Sequence, residues 1–373
     1  MVKLRVVDDF SGFKELGSVW NMLLQKSLDN DVFSTWEWLW NWWKHFGKGR
    51  SLRVLVAEEG GEIIGIAPFM LSKYSFGRIG SLRRIEFISF PHGDYNNFIL
   101  PERSPIECVK LLLEGLLDFS DWNLLDLRDI RDNSMTAECL RKICSSKDFR
   151  LKLLDGTLCP YVNLPSSFDA FMARLSRNVR RNLRKRLKKL QANYRVEFKS
   201  QKYFSSLDKA MEAFFKLHQE RWKSRGMKGA FASEEFKGFH LDVAKTFDER
   251  GWLDLRFLIV DNVPVAAAYT FDYNFKKYGY LTGFDPEFAK YGVGNLLKMH
   301  LVEECIRKGF REYDLTRDFE PYKADWATGV RKNLVARLVR GGMFAKTYCW
   351  ALEKSFTQWL SSKFGAHLTF EDD

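Results

Sequence analysis

The stretch LRFLIVDNVPVAAAYTF (255–271) repeats, about 200 residues later, the pattern of LRVLVAEEGGEIIGIAPF (52–69). In each, two runs of aliphatic and β-branched residues flank a tight-turn signal, EEGGE in the first and DNVP in the second, which predicts an antiparallel hairpin. The sequences that follow also run in parallel. After the first hairpin come a strand (RRIEFISF, 83–90), an extended run (DYNNFIL, 94–100), a helix (105–119), a strand (WNLLDLRDI, 122–130), a helix near 133–144 and a strand (FRLKLLD, 149–155). After the second come a strand (YGYLTGF, 278–284), a helix (295–309), a strand (REYDLT, 311–316) and, beyond a polar loop, another strand (RKNLVARLV, 331–339). A hairpin feeding a βαβ crossover is an α/β (α+β) layered unit with a mixed, mostly antiparallel sheet. Two copies of it divide the chain into 1–162, 163–342 and a helical tail, 343–373. In LCPYVNLPSS (158–167), Pro160 and Pro165 are expected to end extended chain, and Ser166 or Ser167 to cap the next helix. The tail places Tyr348, Leu352, Phe356, Trp359 and Leu360 at helical spacing, a face expected to dock on the body, with peripheral membrane contact as the alternative.

Composition sets the class. At 373 residues the chain exceeds the roughly 250–300 at which one core stops growing, so two units are expected. With 46% hydrophobic residues and only nine prolines, neither disorder nor a fibrous class fits. The six cysteines contain no CxxC pair, which predicts neither a zinc site nor a disulfide framework, and no histidine falls in a metal-like cluster. MVKLRVVDDF lacks the apolar core of a signal peptide, and no apolar run approaches the roughly 18 residues of a membrane span, so a cytoplasmic protein is expected.

Eight basic residues and no acid occupy RNVRRNLRKRLKK (177–189), most of the formal net charge of +11. Leu175, Val179, Leu183, Leu187 and Leu190 recur at helical spacing and define one apolar face. Arg177, Arg180, Arg184 and Lys188 share a flank, a candidate for phosphate or an acidic acceptor, the rest being solvated surface. Base-stacking aromatics are missing from it, which disfavours nucleic acid as the partner.

The copies differ between central strand and helix. The second carries FDPEFAKYGVGN (284–295), where Gly292 and Gly294 allow close backbone approach and the helix start presents its positive dipole end, a seat for a pyrophosphate. The first has ILPERSP, without glycine.

SRNVRRNLRKRLKKL (176–190), LHQERWKSRG (217–226), TGFDPEFAKYGVGNLL (282–297) and YDLTRDFEPYKADWA (313–327) together resemble the CelD/BcsL-type acyltransferases of the GNAT superfamily, named for cellulose biosynthesis. FSTWEWLWNWWKHFG (33–47), IIGIAPFML (63–71) and DYNNFIL match the same family. The tandem layout is also similar to the FemABX aminoacyl transferases, which share an Arg-rich helix and an aromatic-Lys motif resembling Tyr322-Lys323. The resemblance implies an acyl-CoA-dependent N-acyltransferase acting on an amine of a sugar or cell-surface polysaccharide precursor, with acetyl-CoA or another acyl-CoA as co-substrate and no metal. It implies a donor site at Phe284, Lys290, Tyr291, Gly292, Val293, Gly294 and Asn295. Ala289 stands where the GNAT signature has Gln or Arg, with Lys290 beside it as the nearby charge. Direct transfer to an amine needs a neutral nucleophile, donors for the oxyanion and a proton for the leaving thiolate. Backbone N–H groups near 281–284 are expected to serve the oxyanion. Asp314, Asp318 or Glu320 are candidates for the base, Tyr322 for the acid, and Lys323 for charge stabilisation. Substrate contacts are expected from Arg180, Arg184, His92, Asp94 and Tyr95. Structural alternatives stand beside these: Asp314 or Asp318 pairing with Arg317, Tyr322 and Cys305 as core, and Trp36, Trp40 and Trp43 as packing. Two other functions remain open, an aminoacyl-tRNA-dependent FemABX-like transferase and a non-catalytic module binding an acidic polymer.

Overall fold

The computed structural model describes residues 2–76, 78, 80–146 and 149–352. The first half supplies strands β1 (Val2–Val7), β2 (Arg50–Glu59), β3 (Glu62–Ser75), β4 (Ser81–Phe87), β5 (Leu124–Arg131) and β6 (Lys152–Asn163). The second supplies β7 (Val196–Ser200), β8 (Leu253–Val260), β9 (Val263–Tyr273), β10 (Lys276–Phe284), β11 (Glu312–Asp314) and β12 (Gly329–Val339). Helices are α1 (Phe10–Lys26), α2 (Trp36–Phe46), α3 (Pro105–Leu117), α4 (Met135–Ser146), α5 (Phe168–Arg174), α6 (Arg177–Gln191), α7 (Leu207–Lys223), α8 (Glu234–Glu249), α9 (Val293–Arg307) and α10 (Pro321–Ala324). Among the described residues no helix is long and apolar enough to cross a membrane.

All twelve strands form one sheet, in the order β1-β2-β3-β4-β5-β12-β6-β11-β10-β9-β8-β7. The order is the same from either edge. The hairpins β2/β3 and β8/β9 pair antiparallel, and each unit has one parallel contact, β4 with β5 and β10 with β11, bridged by α3 and α9. The turns behave as their residues dictate: Gly60 and Gly61 in one hairpin, and Asp261 and Asn262 in the other, take positive φ. At the middle the halves exchange strands. β12, from the end of the second half, pairs with β5 and β6, while β6, from the first, pairs with β11.

That exchange corrects the reading of Pro160. It does not end extended chain but lies inside β6, opposite Val330. A strand residue points its N and its O to the same side, and Pro160 O accepts from Leu315 N–H just past the end of three-residue β11. The missing N–H therefore faces Leu315, past the end of β11, and not β12, and the Leu315 O it would have served accepts from Lys323 Nζ. Ser167 caps the short α5, and Ser176 caps α6 separately. Leu175 precedes α6 instead of lying on it, although it shares its core, and α9 begins at Val293, ahead of Asn295.

Helices α2 and α8 pack between the units, and α2 sets Trp38 and Trp42 fully into the core. Trp36, Trp40 and Trp43 pack beside that core, half-buried, with Trp36 stacked on Trp40. Cys305 is buried core. The described part of the tail is helical, with Ala345 and Cys349 packed on Leu82 and Leu124; Phe356, Trp359 and Leu360 lie outside the described residues.

Candidate active site

The site grows from a break in β10. The strand pairs with β11 only from Lys276 to Tyr278, and between Tyr278 and Leu281 its register against β9 shifts by one residue. A bulge there increases twist and bends the strand. Beyond it β10 and β11 diverge, and alternate backbone N–H groups of β10 lose their ladder partners on the β11 side. Helix α7 lies tight against this segment: a Cβ on Gly283 would collide with the backbone of Leu217 and His218, so only glycine permits the approach.

The opening is a cleft of about 380 Å³ whose walls come from both halves. The first half contributes Pro91, His92 and Asp94 from the segment after β4. This segment bridges to β3 through Ile66 and Ile99 and to β5 through Asn96 N–H and Asp129 O, so it runs across the place where β4 and β5 diverge. The second half contributes Gly279–Thr282, Thr316–Asp318, Glu320, Tyr322, Lys323, His218, Arg221 and Trp222. An ion pair joins the halves: Arg317 Nε donates to Asp94 and its Nη2 donates to Gly93 O at 2.7 Å. Lys323 is buried, and its Nζ donates to Leu315 O and Arg317 O, both at 2.7 Å, pinning the loop after β11. Burial lowers its pKa.

Two histidines face this cleft in neutral form. His92 Nδ1 accepts the indole N–H of Trp42 at 2.9 Å, and burial next to Arg317 brings its pKa down to about 4. His218 Nε2 accepts from Trp222 Nε1 at 3.0 Å, and burial beside Arg221 likewise sets its pKa near 4. A nitrogen that accepts an indole proton is not free to act as a base, so His92 offers the cleft an Nε2–H donor.

A second cavity of about 260 Å³ adjoins the first; Arg221, Thr282 and Tyr322 line both. Among the described residues its wall carries four basic side chains, Arg186, Arg221, Arg225 and Lys298, and no carboxylate. Gly292, the N-cap of α9, adopts φ +64 and ψ 38, and an added Cβ would stand 2.5 Å from Arg186 Nη1. The turn therefore leaves backbone N–H groups and a guanidinium facing one space, at a helix N-terminus that favours anions. Arg221 binds Thr282 O and Oγ1 at 3.1 and 2.6 Å, and its buried Nε has no partner among the described residues. Residues and charge thus fit a pyrophosphate-bearing ligand.

The residues expected from sequence divide cleanly. Phe284, Gly292, Val293, Gly294 and Asn295 line the cationic cavity; His92, Asp94, Asp318 and Lys323 line the cleft; Tyr322 lines both. Lys290 is exposed beside that wall, and Tyr291 is buried in the core with Lys189 and Lys290 over its ring. Asp314 lies behind the cleft, accepting from Tyr95 OH at 2.7 Å and from Arg331 at 3.2 Å, so these two predicted residues pair with each other; Arg317 is taken by Asp94 instead. Arg180 caps α5 by donating to Met172 O and Ala173 O, and Arg184 is exposed outside both cavities. Sequence reading missed Arg186, Arg221, Arg225 and Lys298 as individual site residues. Arg221 and Arg225 sit in LHQERWKSRG (217–226), but which arginine faces inward depends on the helix rotation that packing sets.

Residues 177–324 match a family model described as an acetyltransferase (GNAT) domain, from α6 through α10. This is a tandem GNAT fold. Solved structures agree at the level of fold. FemX superposes with a TM-score of 0.63 at 11% identity, over 86% of this chain and 95% of that one. The C-terminal DUF2156 domain of a putative lysylphosphatidylglycerol synthetase from Agrobacterium fabrum gives 0.56 at 12%, over 92% and 96%. A tandem GNAT protein from the clavulanic acid biosynthesis pathway gives 0.51 at 13%, over 91% and 99%. No curated protein matches by sequence. The family match lies in the second half, which alone carries the GxG turn. Among the described residues no cluster of three or more His, Cys, Asp or Glu is arranged to hold a metal ion.

Proposed function

We propose that the protein is an acyl-CoA-dependent N-acyltransferase that seats the donor's phosphates in the cationic cavity and the acceptor amine in the cleft. The observation that carries this is the acid-free wall of Arg186, Arg221, Arg225 and Lys298 around the open turn at Gly292. Acyl-CoA supplies an activated thioester there; the protein supplies position and charge. Backbone N–H groups of β10 beyond the bulge face the space where an oxyanion would develop. Tyr322 spans both cavities, and burial with Glu320 nearby pushes its hydroxyl up to about 12, so it is protonated at neutral pH and can donate to a leaving thiolate. Lys323 holds the 315–317 loop and keeps a cation at the cleft floor. Asp318 and Glu320 are the carboxylates left to take the amine's proton, since Asp94 is committed to Arg317. We assign an amino group on a saccharide or polysaccharide precursor as acceptor, supported by the family resemblance and by a wall that mixes Trp222 and Tyr280 with hydrogen-bonding groups.

Calorimetric titration with acetyl-CoA tests the donor. Saturable binding, with thiol release on adding an amine and its loss in Lys323→Ala, is expected. A second reading, transfer from an aminoacyl-tRNA, draws on the exposed basic residues of α6 outside the cavity, Arg184 and Lys188 among them. It predicts tRNA binding lost in Arg184→Ala and no acetyl-CoA binding.

A further inference from the structure

The two cavities meet at Arg221, Thr282 and Tyr322, and the acyl end of a donor must reach that junction to meet an acceptor. A primary amine already stands beside it, packed on Tyr322. Lys298 lies on α9 five residues beyond Val293, about 7–8 Å along the axis from the phosphate turn at the usual rise per residue. It lines the cationic cavity, is only 8% exposed, and places Nζ 4.4 Å from the ring centre of Tyr322 and 5.3 Å from that of Trp326. It makes no hydrogen bond or ion pair with any described residue.

Resting on the acyl-CoA reading above, we propose that Lys298 is itself acylated by the donor bound in this cavity, a self-modification that closes the junction. The charged groups acting on it are Lys323, Glu320, Arg221 and Asp325. Burial, with the Lys323 charge next in weight, brings its amine down to about 7, so a large fraction is uncharged at neutral pH. The step balances without another reactant. The Nζ lone pair forms an amide bond to the acyl carbon as the C–S bond breaks, the amine loses one proton, and the departing thiolate gains one, for which the Tyr322 hydroxyl is adjacent. The product is neutral at any pH and longer, which leaves the three arginines as the cavity's lasting cations and fills the passage between donor and acceptor cavities.

The test incubates the full chain at neutral pH with acetyl-CoA or, separately, acetyl phosphate, then measures intact mass and maps the labelled peptides. The expected result is one acetyl group on Lys298, formed with acetyl-CoA at concentrations that track its calorimetric affinity, absent in Lys298→Arg, and slowed in Tyr322→Phe. Lys298→Met, which keeps the stem, replaces Lys298→Arg if that variant does not fold. Saturable acetyl-CoA binding without an adduct overturns the inference and leaves the donor reading standing. So does label scattered over exposed lysines at equal rates with both reagents. Absence of acetyl-CoA binding overturns the donor reading, and this inference with it.

Discussion

Gly292→Ala separates the turn's two jobs. At φ +64 an L-residue pays roughly 1–2 kcal/mol in the left-handed region. The new methyl would stand 2.5 Å from Arg186 Nη1, but that is the far end of a flexible side chain and can swing aside. Against a total stability of about 5–15 kcal/mol the protein stays folded, with a urea midpoint lowered by the backbone strain alone. On the acyl-CoA reading binding is hit harder, because the displaced guanidinium leaves the proposed phosphate seat. Loss of one hydrogen bond to a charged group removes about 1.5–3 kcal/mol, or roughly 10- to 150-fold in affinity. Calorimetry with acetyl-CoA on Gly292→Ala, Arg186→Ala and the double variant reads the coupling. In the Arg186→Ala background the added cost of the methyl should shrink to within a few fold. Affinities within twofold of the parent in both single variants would refute this account of the turn.

Lys323→Ala should lower turnover at least roughly 100-fold, in the range of a lost acid–base or charge-stabilising group, while acetyl-CoA affinity changes by less than about threefold, since Lys323 lines only the cleft; steady-state kinetics beside calorimetry checks both. His92 and His218 have folded-state pKa values near 4 against 6.5 unfolded, so the unfolded chain binds more protons between those values and stability falls as pH drops from about 6.5 to 4. Each contributes on the order of 3 kcal/mol to that fall, and urea unfolding of His92→Gln, whose carbonyl can still accept from Trp42, should show a flatter pH profile than the parent. Expressed alone, residues 1–162 lack the strand that separates β5 from β6 and should be insoluble, while co-expression with 163–373 should recover soluble complex by size-exclusion chromatography.

Much of the architecture was legible because local signals were strong. Glycines and the Asp-Asn pair marked the hairpins, and the helix that bears the GxG turn was read to within two residues of its start. Pro160 was misread because a proline's effect depends on which neighbour its nitrogen faces, and that neighbour, β11, is contributed by residues about 150 positions away. Asp314 and Tyr95 looked reactive as residue types, yet they bond to each other behind the cleft, where Asp314 also balances Arg331.

Sequence by itself determined the repeated hairpin-crossover units, the amphipathic basic helix and the glycine turn ahead of α9, since each rests on periodicity or backbone preference within a few residues. Only the tertiary structure decided that the units exchange their last strands, that the segment carrying His92 and Asp94 crosses the first unit's split to wall the second unit's cleft, and that Arg186, not Arg180 or Arg184, meets Gly292. Those outcomes follow from which faces bury together, and residues on a helix flank differ in that respect only once the partner surface is in place.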